Sequence, residues 1–256
     1  MKLCGLEKIL GLRVTDNSSI IKLEDISYSY PGSNIRVLDH LDFEINKGDR
    51  IGMMAPNGSG KTTLLHTIMG LCKPESGTIE VFGKLLENEK DFMPVRSKIG
   101  LLFQDSDDQL FCPTVLDDVA FGPLNLGFSP RDAIDTARNT LERLGIQNLE
   151  GQVTHRLSGG QKRLVALAAV LAMEPEVLLL DEPTAGLDHK VKEKLIHILN
   201  SLDISYFVIS HEFDFAKAVT DKIYSMENGK ILTDDEIHIH HHEHVHKHGK
   251  HPHNHK

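Results

Sequence analysis

The sequence predicts an α/β fold with a mostly parallel sheet, an antiparallel β-subdomain on its N-terminal side and an α-helical lobe inserted partway along the chain. Three observations carry this. Period-2 alternation runs through IIKLEDISYSY (20–30) and VLDHLDFEI (37–45), split by the turn-like PGSN, as in antiparallel strands. Between 105 and 156 the pattern is helical. After residue 160 helices and strands alternate, which builds a parallel sheet with helices on both faces.

The elements follow in order. RIGMMAP (50–56) is an apolar strand that runs into a glycine-rich loop, and KTTLLHTIMG (61–70) continues as a helix ending near Gly70. GTIEVFG (77–83) and KIGLLFQ (98–104) read as strands. In the lobe, SPRDAIDTARNTLERLGI (129–146) is the clearest helix: Ser129 caps it and Pro130 takes the first helical position. Downstream come strand EVLLLDE, helix KVKEKLIHILNSL, strand SYFVIS, a helix, and strands KIYSM and KILT. The expected divisions are an N-terminal extension (1–19), a catalytic domain (20–237) whose helical lobe spans about 105–160, and a His-rich tail (238–256).

Composition narrows the function. With 256 residues, 40% hydrophobic and 25% charged, the chain matches an ordinary soluble globular protein. Its net charge is −9; the tail holds three lysines and one glutamate, so the body carries −11. An acidic body argues against nucleic acid as a partner. Cys4, Cys72 and Cys112 form no CxxC pair, which points to a reducing compartment. The N-terminal stretch lacks a signal-peptide pattern, and the longest apolar run, LVALAAVLAM (164–173), is well short of the ~20 residues that span a membrane. The expectation is a cytoplasmic protein that does not itself cross the membrane.

The chemistry starts at APNGSGKTT (55–63), between a strand and a helix. In Ala55, Pro56, Asn57, Gly58, Ser59, Gly60, Lys61, Thr62 and Thr63 the glycines let backbone amides approach phosphates, and the helix N-terminus adds a favourable dipole. Lys61 is expected to bridge β- and γ-phosphates, and the Thr62 hydroxyl to hold Mg²⁺. Ala55 stands where such loops carry their first glycine, and is small enough for the loop to survive. VLLLDEP (177–183) delivers Asp181, for Mg²⁺, and Glu182, to polarise the attacking water. His211 ends SYFVIS at a matching strand end and is expected to orient that water.

RLSGGQKRLVALAAVLAMEPEVLLLDEPTAGLD (156–188) sets the class. Over roughly residues 20–232 the sequence resembles the ATP-binding subunits of ABC transporters, a P-loop NTPase core with the two added subdomains above. The resemblance implies that residues 55–63 are the Walker A loop, Gln104 the Q-loop glutamine sensing the γ-phosphate or Mg²⁺, and residues 157–161 the signature motif. It implies that Asp181 and Glu182 are the Walker B pair, residues 185–188 the D-loop, and His211 the switch histidine. It further implies that Tyr30, with Tyr28 as the alternative, stacks on adenine. In this family two copies face head to tail, so that Ser158, Gly159, Gly160, Gln161 and Asp188 of one close the ATP of the other. A homodimer on separate membrane subunits, peripheral to the cytoplasmic face, is expected.

The stretch FQDSDDQLFCPTVLDDVAFGPLNLGFSP (103–130) looks like the subgroup that drives energy-coupling-factor and cobalt/nickel-type importers. Leu110, Phe111, Val115 and Val119 are expected to offer an apolar face to a membrane subunit. The tail carries His238, His240, His241, His242, His244, His246, His248, His251, His253 and His255, ten of the chain's 16 histidines. Imidazole suits Ni²⁺, Co²⁺ and Zn²⁺, and the interleaved Ile, Val, Glu, Lys and Pro distinguish the tail from a uniform purification tag. The expected function is ATP-driven import of nickel or cobalt, with a vitamin importer whose tail only buffers metal as the alternative.

Overall fold

The computed structural model describes residues 19–232, so the tail histidines and residues 1–18 lie outside the described residues. In chain order the elements are β1 (Ser19–Ser29), β2 (Arg36–Asn46), β3 (Arg50–Met54), α1 (Lys61–Ile68), β4 (Ser76–Val81), β5 (Lys84–Leu85), α2 (Glu89–Arg96) and β6 (Ile99–Leu102). Then come α3 (Val115–Asn125), α4 (Pro130–Arg143), α5 (Gly159–Leu171), β7 (Val177–Asp181), α6 (His189–Ser201), β8 (Ser205–Ile209), α7 (Phe213–Val219), β9 (Lys222–Glu227) and β10 (Lys230–Leu232). An antiparallel sheet runs β2-β1-β4-β5, and a six-stranded sheet runs β10-β9-β3-β8-β7-β6. The second is parallel except for the β9–β10 hairpin.

Strand β7, apolar from Val177 to Leu180 before it ends at Asp181, explains the layering. Val177 and Leu179 join the core shared with β1 and β2, where Phe43 meets Phe207 at 4.8 Å. Leu178 and Leu180 face the other way, into a second core built with α5 and the helical lobe. Each fully buried leucine stabilises the fold by about 1.5–3 kcal/mol, which is why this strand has no polar face.

Helix α5 lies tightly on that second face. A Cβ at Gly100 of β6 would sit 2.5 Å from Val170 Cγ1 and 2.9 Å from Leu178 Cδ1. Gly100→Ala is therefore expected to cost about 1–3 kcal/mol by overpacking, read as a lower urea midpoint with an unchanged slope.

In the lobe, the Ser129 hydroxyl accepts from the Asp132 amide and Pro130 opens α4, as the sequence predicts. Two readings are corrected. Val115 and Val119 are fully buried in the lobe's own core, so they offer nothing to a membrane subunit. Leu110 is half-buried, and only Phe111 of the four is exposed, packed edge-on against Phe121 at 4.8 Å. Exposed Leu124, Leu126 and Phe128 complete the lobe's apolar surface. Second, β1 is not strictly alternating: Asp25 takes a left-handed φ of 55° at a bulge, shifting the register between Leu23 and Ile26. Helix α2, which contains Pro94, escaped the sequence reading, although Asn88 and Asp91 form a capping box at its start.

Candidate active site

The loop between β3 and α1 is shaped by two glycines. Gly58 and Gly60 have φ of 79° and 101°, and a Cβ at Gly60 would lie 2.7 Å from the Val37 carbonyl. Ala55 is not among the positive-φ residues, so alanine replaces glycine there without backbone strain. Its carbonyl accepts from Lys61 Nζ at 2.8 Å, and Pro56 O accepts from the same group at 3.1 Å. Ser59 Oγ is buried without a partner.

Strands β7 and β8 bring the acids and the histidine to the same end of the sheet. Thr62 Oγ1 donates to Asp181 Oδ2 at 2.7 Å, while Asp181 Oδ1 is buried and unpartnered. Glu182 adopts φ 46° just past the strand, and its amide donates to Ile209 O at 3.0 Å. The amide of His211 donates to Glu182 Oε2 at 3.2 Å. His211 Nε2 contacts Asn57 Oδ1 at 2.9 Å and Lys61 Nζ at 3.2 Å. The same nitrogen lies 2.8 Å from Glu182 Oε1, but not in hydrogen-bonding alignment, so that oxygen still lacks a donor. Lys61 Nζ is 3.8 Å from it.

Burial dominates the electrostatics. It pushes the carboxyls of Asp181 and Glu182 above their ordinary range and the Lys61 ammonium below its own. Lys61 opposes the shift of both acids, and both acids oppose that of Lys61. One buried lysine faces two carboxylates with two unpartnered oxygens. Hydroxyl and carboxylate oxygens of this kind fit a hard divalent cation such as Mg²⁺.

A cleft of about 450 Å³ opens over these groups, lined by Tyr30, Val37, Gly58, Lys61, Gln104 and Asp181 among others. Tyr30 is half exposed, its hydroxyl 2.8 Å from Thr63 Oγ1. Tyr28 is buried and meets the Tyr30 ring edge-on at 5.3 Å, so Tyr30 alone of the two lines the cleft. None of residues 158–161, nor Asp188, lines it. Ser158 caps α5 by accepting from the Gln161 amide at 3.3 Å, and Gln161 Oε1 accepts from the Ser158 amide at 2.9 Å. Asp188 caps α6 through the Val191 amide. Gly159, with open space around it, lines an adjoining cleft of about 650 Å³ that shares Thr62, Gln104 and Asp181 with the first. Lys192 of α6 donates to both carboxylate oxygens of Glu212, tethering the turn after His211. That pair went unnoticed in the sequence because the two residues lie in different elements.

Among the described residues no helix is long and apolar enough to cross a membrane, and no cluster of three or more His, Cys, Asp or Glu could hold a metal.

The family model described as "ABC transporter" matches residues 38–185. A cobalt import ATP-binding protein of Rhodobacter capsulatus is 41% identical over 219 residues, covering 84% of this chain and 78% of the relative. An energy-coupling factor transporter ATP-binding protein of Methanocaldococcus jannaschii is 40% identical over 218 residues, covering 83% and 77%. Among solved structures, CbiO1 of Clostridium perfringens, part of the ABC transporter complex CbiONQ, superposes with a TM-score of 0.76 at 36% identity, covering 84% of this chain and 87% of that one. The dimeric ABC transporter cassette MJ0796 superposes at 0.75 with 27% identity, covering 82% and 96%. With its glycine-rich loop and the acid pair at the end of β7 set on this fold, the chain belongs to the ABC transporter family as an ATP-hydrolysing cassette.

Proposed function

We propose that the chain powers import of a transition metal ion, nickel or cobalt, as a pair of identical cassettes on separate membrane subunits at the cytoplasmic face. The cargo assignment is carried by one conjunction: ten histidines in residues 238–256, on a cassette 41% identical to a cobalt importer's ATP-binding protein. The exposed Phe111, Phe121, Leu124 and Phe128 supply an apolar seat for a membrane subunit.

ATP is the substrate. Its triphosphate lies along the 55–63 loop, where backbone amides and the N-terminus of α1 donate to it, and its adenine stacks on the exposed Tyr30 ring. Lys61 turns from the Ala55 and Pro56 carbonyls to the β- and γ-phosphates. Thr62 and Asp181, with Gln104 beside them, would hold Mg²⁺, which when bound would neutralise phosphate charge. Glu182 takes a proton from a water as its oxygen bonds to the γ-phosphorus. The bond from that phosphorus to the bridging oxygen breaks, leaving ADP and phosphate. His211 is positioned by Glu182 and Asn57 to hold the γ-phosphate side of that water. Since residues 158–161 and Asp188 stand outside the chain's own phosphate cleft, a second copy supplies them, and hydrolysis awaits pairing. The tail buffers cytoplasmic metal.

The test is nickel and cobalt uptake by cells lacking the chain, complemented by wild type or by a chain ending at residue 237. Wild type restores uptake of one metal. The shortened chain restores it too, but its purified form loses most Ni²⁺ and Co²⁺ binding. Uptake of both metals that is indifferent to the chain would overturn the metal cargo and favour a vitamin importer whose tail only buffers metal.

A further inference from the structure

Arg163 sits in the second turn of α5 and is 4% exposed, yet the hydrolytic chemistry makes no use of it. Its Nη1 donates to Phe103 O at 2.5 Å and its Nη2 to Gln104 O, the first two carbonyls beyond β6. Both partners are neutral; Asp105 and Asp181 offset the charge only through the field. A guanidinium buried on carbonyls carries a desolvation cost that an apolar side chain would avoid. Its planar fork, set on two consecutive carbonyls, fixes the loop's orientation as well as its position. One residue earlier, Lys162 Nζ donates to Asp107 Oδ1 at 2.5 Å, fastening the 3₁₀ turn Ser106–Asp108 to the same helix. At the head of α5, Ser158 and Gly159 are exposed.

We infer that Arg163 is a positioning residue that makes Gln104 and the N-terminus of α5 one rigid body. The γ-phosphate state met by Gln104 in one ATP site then sets the orientation of residues 158–160, which serve the other site. This rests on the proposed role of Gln104 at the γ-phosphate. Sequence reading passed over Arg163 because a charge in QKRLVALAAVL looks like a solvated flank; its burial in the fold reveals the task.

The test is amide hydrogen exchange with Mg·ATP against Mg·ADP, in the hydrolysis-blocked Glu182→Gln protein, below the concentration at which sedimentation detects a dimer. In that parent, exchange responds in both 103–108 and 158–163. Adding Arg163→Met keeps the response at 103–108 and abolishes it at 158–163. With Glu182 restored, Arg163→Met lowers kcat by about tenfold, within the usual 5–150-fold range of coupling, and leaves the Kd for ATP within about twofold. Arg163→Lys keeps the charge but reaches one carbonyl, so it gives an intermediate response, and it decides the matter where the methionine variant does not fold. A full response at 158–163 in either variant, or a lowered melting temperature without decoupling, overturns the inference. No response at 103–108 in the parent overturns the role of Gln104 and the inference with it.

Discussion

Glu182→Gln lowers the rate of ATP hydrolysis by about 10²–10⁴-fold, the usual contribution of a general base, while ATP binding persists. The glutamine keeps the size and the acceptor oxygen that receives the His211 amide, so the site keeps its shape. It cannot take a proton. Burial raises the proton affinity of Glu182 above that of a free carboxylate, in the direction that strengthens a base, and the glutamine loses this entirely. The variant also removes one negative charge beside the γ-phosphate, so ATP accumulates unhydrolysed and holds two chains together. Single-turnover kinetics and gel filtration with Mg·ATP check both parts. Wild-type turnover in the variant would remove Glu182 from its role.

Lys61→Ala loses ATP affinity by about 30-fold or more, the low end of the 2–5 kcal/mol that follows when one member of a buried charge pair is truncated. Lys61 is the only cation within 4.0 Å of Glu182 Oε1 apart from His211 if protonated, and the sole side-chain group hydrogen-bonded to the Ala55 and Pro56 carbonyls among the described residues. Without it the phosphates meet two raised-pKa carboxyls and no ammonium. Titration with a fluorescent ATP analogue measures the loss directly, and unchanged affinity would count against the phosphate loop. Because both carboxylates also lose their cation, the variant's melting temperature in the absence of nucleotide should move as well.

How much of this was legible in the sequence depended on whether a signal was local. Helix α4 announces itself through Ser129 and Pro130, and β7 through four consecutive apolar residues, Val177 to Leu180, that only a doubly covered strand tolerates. The bulge at Asp25 had no such signal, because alternation in IIKLEDISYSY is visible while a left-handed residue is not. Pro94 hid α2 by its interior position, though the Asn88 cap was there to find. Periodicity placed Val115 and Val119 on one face, but only tertiary packing decided that the lobe itself covers that face. Motif spacing identified Lys61, Glu182 and His211 separately. Their meeting, with His211 contacting Asn57 across 154 positions of chain, belongs to the strand order β3-β8-β7.

The left-handed backbone at Glu182 has a consequence for engineering. A side chain in that region costs roughly 1–2 kcal/mol that glycine would not, so the chain carries a small permanent debt of stability at the position where it needs a carboxylate. Selection for thermal robustness that ignores turnover can recover that stability by replacing the carboxylate, as it can at the left-handed Asp25, Phe82 or Glu174. Only a screen that also reads turnover keeps a heat-hardened version of this cassette from falling silent.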